Sequence, residues 1–136
     1  MKYKFTKNYI KEYGNALPLG LAHRIIHQRD LEFYPATTGG GKMETTGYDH
    51  VLYLGERSQE YKEHVDFSNN QEPRTLTCSL ILNDDYKGGD FSFFEGEHVI
   101  RKKACSAIVF PSNFCFPHAI TPVTQGDRHV IITWLR

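Results

Sequence analysis

The sequence predicts a mainly β fold, a jelly roll or sandwich, with one or two helices ahead of it. Short apolar runs with alternating spacing recur about every ten residues from Val51 to the end, bounded by turn residues, as strands do. Aromatic residues make up 13% of the chain, which favours pleated, half-buried surfaces. Upstream, Leu17-Pro18-Leu19 followed by Leu21, Ala22, Ile25 and Ile26 is spaced for a helix face, and Pro18 is acceptable in a first turn. Leu31-Glu32-Phe33-Tyr34 then reads as a strand, and Pro35 to Gly47, rich in Gly and Thr, as a long flexible loop. Seven strands follow: Asp49 to Leu54, Tyr61 to Asp66, Arg74 to Asn83, Asp90 to Glu95, Ala104 to Pro111, His118 to Val123 and Arg128 to Leu135. The turn signals Asn69-Asn70, Asp84-Asp85, Lys87-Gly88-Gly89-Asp90 and Gln125-Gly126-Asp127 separate them.

At 136 residues and 15.7 kDa the chain has room for one core, which buries about 68% of the unfolded surface. We therefore expect one domain over residues 1–136, with 1–50 as lead-in and loop and 51–136 as the jelly-roll core. Sixteen Lys and Arg balance sixteen Asp and Glu at a pI near 7.0, so no global positive field is available to hold nucleic acid or an anionic membrane. No run approaches the ~18 apolar residues of a membrane span, and Met1-Lys2-Tyr3-Lys4-Phe5 lacks the apolar core of a signal peptide. A cytoplasmic protein is expected. Cys78, Cys105 and Cys115 are odd in number and show no CxxC spacing, so buried small hydrophobes are expected rather than disulfides or a thiolate zinc site.

Three further patterns carry less than they suggest. His23 and His27 stand at i and i+4 like a helical zinc pair, but Arg24 occupies the place of the glutamate base, so a surface helix pair is the better reading. Gly39-Gly40-Gly41-Lys42 is similar to a phosphate loop, yet Ala36 and Met43 stand where Gly and Ser or Thr are needed. Cys115 lacks a positioned base, since nearby His118 has another use.

That use starts at His64-Val65-Asp66. Residues i and i+2 of a strand point to one side about 6.6 Å apart, so an imidazole and a carboxylate can converge on one ion. His118, in the apolar setting Phe116-Pro117-His118, supplies a third donor. Two histidines and a carboxylate form a facial triad that leaves positions open on an octahedral Fe(II). Alone, His-x-Asp is as well read as a chance surface pair; Arg128, ten residues after His118, raises the metal reading. Along Arg74 to Leu82, period 2 places Leu76, Cys78, Leu80 and Leu82 on a buried face. It places Thr75, Thr77 and Ser79 on a polar face that can line a cavity. Arg128, Val130, Ile132 and Trp134 share one face of the last strand: a cation, an apolar floor and an aromatic wall.

Over residues 51–136 the sequence resembles the Fe(II)- and 2-oxoglutarate-dependent dioxygenases of the prolyl 4-hydroxylase-like group. The marks are Tyr53, His64-x-Asp66, Leu82-Asn83-Asp84-Asp85-Tyr86-Lys87-Gly88-Gly89-Asp90-Phe91, Val109-Phe110-Pro111-Ser112, His118, Arg128 and Trp134. The resemblance implies a double-stranded β-helix, the cupin-like jelly roll, with His64, Asp66 and His118 as iron ligands and catalytic residues. It implies that Arg128 pairs with the distal carboxylate of 2-oxoglutarate, with Tyr53 as a hydrogen-bond donor or else a core aromatic. Trp134 and Tyr61 are the substrate-pocket candidates. Fe(II), 2-oxoglutarate and O2 are the implied cofactor and cosubstrates, with ascorbate as a candidate reductant. Some prolyl hydroxylases carry a tyrosine beside the distal carboxylate where the strand Thr75 to Leu82 offers only Leu80 and Ile81, so Thr77 or Tyr53 is a candidate to share the anchoring.

The retained Asp66 points to hydroxylation rather than halogenation, and succinate and CO2 are the implied co-products. Residues 37–47 are a lid or a plain connection. The expected function is hydroxylation of prolyl residues in a protein or peptide substrate. The alternatives are a small-molecule or free amino acid hydroxylase and a non-catalytic cupin-like metal-binding module.

Overall fold

A computed structural model of the chain describes residues 6–27, 45–67 and 73–136. The segments read as the Leu31 to Tyr34 strand, most of the Pro35 to Gly47 loop and the Asn69-Asn70 turn lie outside the described residues. In chain order, the elements begin with a 3₁₀ turn at Thr6–Tyr9, β1 at Lys11–Tyr13, α1 at Leu19–His27, β2 at Asp49–Leu54, a 3₁₀ turn at Gly55–Arg57 and β3 at Tyr61–His64. They continue with β4 at Leu76–Ile81, β5 at Lys87–Gly88, β6 at Phe91–Phe93, β7 at His98–Ile100, β8 at Ser106–Pro111, β9 at His118–Ile120, β10 at Val123–Gln125 and β11 at Asp127–Leu135. The fold is mainly β as expected, with one α-helix; among the described residues, what stands in place of a second helix is a single 3₁₀ turn.

All strand pairs are antiparallel and form a five-stranded sheet in the order β1-β8-β4-β11-β2, a four-stranded sheet β3-β9-β6-β7, and the small pair β10-β5. The inner faces of the two larger sheets meet in an aromatic core of Phe91, Phe93, Phe110, Ile108, Ile120 and Val130. Inward residues line up in rows across the larger sheet: Tyr53 beside Arg128, then Val51, Val130 and Ile81, then Ile132, Ser79 and Ile108, then Trp134, Thr77 and Phe110. One face of the sheet therefore runs from a cation through an apolar middle to polar groups beside an indole.

The outer face of β4 and β11 is covered by α1. Ala22 is fully buried there against Leu82, Cys105 and Ile131, with Leu17, Ile25, Ile26, Tyr48 and Leu80 around them. This corrects the expected burial of β4. The apolar face of Leu76, Cys78 and Leu80 is only half-buried and lies outside, whereas Thr77 (2% exposed) and Ser79 (1% exposed) point into the barrel. The polar face lines the cavity through Thr77 and Ser79, as the alternation allowed, and what is corrected is only the full burial expected of Leu76, Cys78 and Leu80; Leu82 is buried.

Several strands are shorter than expected. β3 ends at His64, so Asp66 sits two residues beyond it, and the expected His118 to Val123 strand splits into β9 and β10. The Asp90 to Glu95 run stops at Phe93 because Phe94 and Glu95 adopt φ of 56° each, a left-handed turn that leads into β7. Gly89, at φ 62°, is enforced by packing: a Cβ there would stand 2.9 Å from the Tyr86 ring and from Val123, and 3.2 Å from Arg128 Cδ. All three cysteines are free; Cys105 is buried and Cys78 half-buried, but Cys115 is exposed, contrary to expectation. Among the described residues no helix is long and apolar enough to cross a membrane.

Candidate active site

β9 runs between β3 and β6, and its register places His118 opposite His64 on one side and Phe93 on the other. His118 is buried among the rings of Phe91, Phe93 and Phe110, at centroid distances of 5.3, 5.7 and 4.9 Å. Each imidazole is aligned by a backbone carbonyl two residues before it: His64 Nδ1 donates to Lys62 O at 2.8 Å and His118 Nδ1 to Phe116 O at 3.0 Å. That fixes the tautomer and leaves both Nε2 atoms aimed at Asp66, 3.4 Å from Oδ1 for His64 and 3.7 Å from Oδ2 for His118. One donor atom from each of the three residues lies within 4.8 Å of the others, and this is the only such cluster of His, Cys, Asp or Glu among the described residues. The donor set suits a borderline divalent ion and leaves a face open.

Asp66 is itself held in place. Its Oδ2 accepts hydrogen bonds from Thr77 Oγ1 at 2.7 Å and Trp134 Nε1 at 3.2 Å, and Thr77 Oγ1 is also 2.8 Å from Ser112 Oγ. Burial alone would raise the Asp66 carboxyl; hydrogen bonding by His64, the nearby His118 and the bonds from Thr77 and Trp134 outweigh it and hold the group at about 2. The carboxylate is therefore anionic and oriented at any ordinary pH, as a metal ligand must be. Burial pushes His118 down, toward the neutral ligating form. For His64 burial also pulls down, but the hydrogen bonds to Asp66 and the Lys62 carbonyl prevail and raise it.

The triad opens into a cavity of about 700 Å³ that is also lined by Tyr53, Phe91, Ile132, Trp134 and Arg128. Arg128 is 2% exposed, with its guanidinium carbon 4.9 Å from the centre of the Tyr53 ring. Its Nε and Nη1 have no hydrogen-bond partner, and neither do the buried Tyr86 hydroxyl and Ser79 Oγ. A buried guanidinium with unused donors is unfavourable unless an anion completes it, and a planar carboxylate matches its fork. The cavity thus pairs a metal-ligand triad with an anion clamp, which is what a dicarboxylate chelating a metal at one end requires.

All the expected site residues line this cavity, with revised parts for some. Trp134 does more than form a wall, since its indole donates to Asp66, and its ring lies 3.7 Å from the Arg74 guanidinium. Tyr61 is 52% exposed at the mouth, packed edge-on to His64 at 4.2 Å. Thr77 bonds Asp66, so it supports the metal end instead of sharing the anion. The phenol found beside Arg128 comes from Tyr86, a buried residue that packs with Arg128 on Gly89. It lies in the turn after β4, outside the strand where a tyrosine was sought. Sequence reading also passed over Ser112 and Arg74. Only Thr77 carried a usable signal, as a hydroxyl on a face that alternates with leucines.

A sequence profile of the 2OG-Fe(II) oxygenase superfamily matches residues 49–136. A PKHD-type hydroxylase of Alteromonas mediterranea is 36% identical over 90 residues, 58% of this chain and 39% of the relative; one of Rippkaea orientalis is 36% identical over 88 residues, 59% and 39%. The chain thus spans about two fifths of the length of these curated relatives. Its fold matches a viral collagen prolyl hydroxylase of Paramecium bursaria Chlorella virus-1, solved with 2OG, with a TM-score of 0.76 and 17% identity over 94% of this chain and 95% of the other. A Pseudomonas putida prolyl-4-hydroxylase matches with a TM-score of 0.75 and 18% identity over 99% and 87%. The chain belongs to the 2OG-Fe(II) oxygenase superfamily.

Proposed function

We propose that this superfamily member is an Fe(II)- and 2-oxoglutarate-dependent hydroxylase acting on prolyl residues of a protein or peptide. We assign residues 51–136 as its catalytic core and 1–50 as a lead-in within one domain. The observation that carries the reading is the buried Arg128 guanidinium, its Nε and Nη1 without hydrogen-bond partners, in the same cavity as the His64, Asp66 and His118 cluster. A metal-binding jelly roll without oxygenase activity has no need of a buried cation with free donors, whereas a cosubstrate with a distal carboxylate does. The prolyl substrate rests on likeness: the sequence relatives are PKHD-type hydroxylases and the fold neighbours are prolyl hydroxylases.

In this reading His64, Asp66 and His118 would hold Fe(II), and Arg128 would hold the distal carboxylate of 2-oxoglutarate with Tyr53 and Tyr86 beside it. Bound iron and cosubstrate supply the oxygen activation that converts a C–H bond to C–OH while 2-oxoglutarate leaves as succinate and CO2. The protein's own work is positional. The carbonyls of Lys62 and Phe116 set the imidazole tautomers, while Thr77 and Trp134 fix the carboxylate. Phe91, Val130 and Ile132 exclude water between the two ends. Tyr61, Phe67, Arg74 and Trp134 surround the mouth through which a peptide would present its residue.

Incubation with Fe(II), 2-oxoglutarate and O2 tests this by succinate release and by a one-oxygen mass gain on the substrate. Prolyl peptides should be hydroxylated, and free amino acids should not. Turnover of free amino acids alone would replace the peptide by a small-molecule substrate. Metal binding without any 2-oxoglutarate binding would leave only a metal-binding module.

A further inference from the structure

Between the metal end and the anion clamp, the cavity holds a hydroxyl without a partner. Thr77, Ser79 and Ile81 alternate on the inner face of β4, and Ser79 stands opposite Ile132 on one side and Ile108 on the other, with Val130 and Ile81 in the next row. Its row lies one step from that of Trp134 and Thr77, which hold Asp66, and two steps from that of Arg128 and Tyr53. Ser79 is 1% exposed and lines the cavity, yet its Oγ has no hydrogen-bond partner. Other buried hydroxyls are engaged: Thr77 with Asp66, Ser112 with Thr77, Ser106 with the Lys103 carbonyl and Thr133 with the Gly47 carbonyl.

We propose that Ser79 is a binding contact for the cosubstrate, its hydroxyl donating to the carboxylate at the 2-oxo acid end of 2-oxoglutarate; this rests on the hydroxylase reading above. In the ligand-free protein an unpaired hydroxyl among isoleucines and a valine is unfavourable, and alanine would fill the position at less cost. A ligand with an oxygen acceptor at this depth removes that penalty. Depth also selects the end of the ligand. Ser79 is about 6.6 Å along β4 from Thr77, whose Oγ1 is 2.7 Å from the Asp66 carboxylate, whereas Arg128 begins about 13 Å along β11 from Ile132, the residue opposite Ser79. Between its two ends 2-oxoglutarate carries methylenes, which accept nothing, so the 2-oxo acid end is the acceptor within reach. A carboxylate makes such a bond stronger than one between neutral groups, and a serine hydroxyl turns to suit its acceptor. Arg128 would then fix the far carboxylate, and Ser79 the orientation of the near one.

Calorimetry on the Mn(II) form, which binds without turnover, tests the contact. Ser79→Ala should weaken 2-oxoglutarate about tenfold, with Mn(II) affinity unchanged. The ligand-free variant should melt at or above the wild-type temperature, which a hydroxyl with a structural partner would not allow. Pyruvate keeps the 2-oxo acid end and lacks the distal carboxylate. Its binding, read by water proton relaxation at Mn(II), should weaken by the same factor in Ser79→Ala and be unaffected in Arg128→Ala. A Ser79→Ala protein that binds 2-oxoglutarate as tightly as wild type, or that melts lower than wild type without ligand, would overturn the proposal, and so would a loss seen with 2-oxoglutarate but not with pyruvate. Those failures leave the hydroxylase reading standing, whereas a wild-type Mn(II) form that binds no 2-oxoglutarate removes both.

Discussion

A guanidinium that is 2% exposed, with Nε and Nη1 unbonded, concentrates the ligand logic of the cavity in Arg128. Removing it from a carboxylate complex loses a bidentate charged pair and leaves a desolvated anion, a cost of about 3 to 5 kcal/mol. At 1.4 kcal/mol per tenfold, Arg128→Ala should weaken 2-oxoglutarate by about two to three and a half orders of magnitude by calorimetry on the Mn(II) form, with metal affinity unchanged. Arg128→Lys should fall between, because a point charge cannot match the fork. At the other end, Thr77→Val keeps the shape and removes the 2.7 Å bond to Asp66; metal affinity should drop about 10- to 100-fold, while Ser112→Ala, which touches Asp66 only through Thr77, should cost less. Equal metal binding in wild type and Thr77→Val would make that bond a packing detail. The ligand triad and Arg128 were legible in the sequence because their residue types are specific to the chemistry. Thr77 was legible as a cavity-lining hydroxyl but not as the partner of Asp66, and the part of Tyr86 was not legible, because a strand threonine and a turn tyrosine are ordinary until the fold sets them against a carboxylate and a guanidinium.

Among elements, β6 does the most with the fewest residues. Phe93 is fully buried against Phe91, Phe94, Phe110 and His118, so it sets the wall on which the imidazole rests. Phe93→Ala should cost about 3 to 5 kcal/mol in chemical denaturation and loosen the metal site as well; a loss of stability with unchanged metal affinity would free His118 from that support. The seam between α1 and the sheet predicts a pH effect. Burial lowers His50 and His129, and for His129 the His50 and His27 charges act with it while Asp127 and Asp85 oppose. The unfolded chain then takes up protons first, near the ordinary histidine value of 6.5, so stability is unaffected above that pH and falls below it. With chelator present, the His50→Gln/His129→Gln pair should lose less melting temperature than wild type between about pH 6.5 and 5; parallel curves would refute the seam. Sequence reading located β2 without error and β8 and β11 nearly so, because six to nine residues give alternation room to show. It missed β1, β5 and β7 and ran β9 into the start of β10, because stretches of two or three residues are too short to mark their own ends by alternation.

At the scale of the whole molecule, the two larger sheets close over one cavity, and its ligand-facing groups come from both. His64 and His118 come from the four-stranded sheet, Arg128, Thr77 and Trp134 from the five-stranded sheet, and Asp66 from the segment leaving β3. A ligand that is gripped at both ends therefore bridges the sheets, and binding that occurs only in the native state raises stability by RT ln(1 + [L]/Kd), about 2.7 kcal/mol at a hundredfold excess over Kd. For a chain of this length each kcal/mol is worth roughly 3 to 6 °C, so a saturating ligand should raise the melting temperature by on the order of 10 °C. Mn(II) alone should stabilise by engaging the triad, and 2-oxoglutarate added after Mn(II) should add a second increment of similar size. Without metal, 2-oxoglutarate keeps only the Arg128 contact and should add little. In Arg128→Ala the first increment should survive and the second vanish; in His118→Ala both should shrink. A 2-oxoglutarate increment that is the same with and without metal would mean that the two ends of the cavity do not share one ligand, and the bridging account of the fold would fail with it.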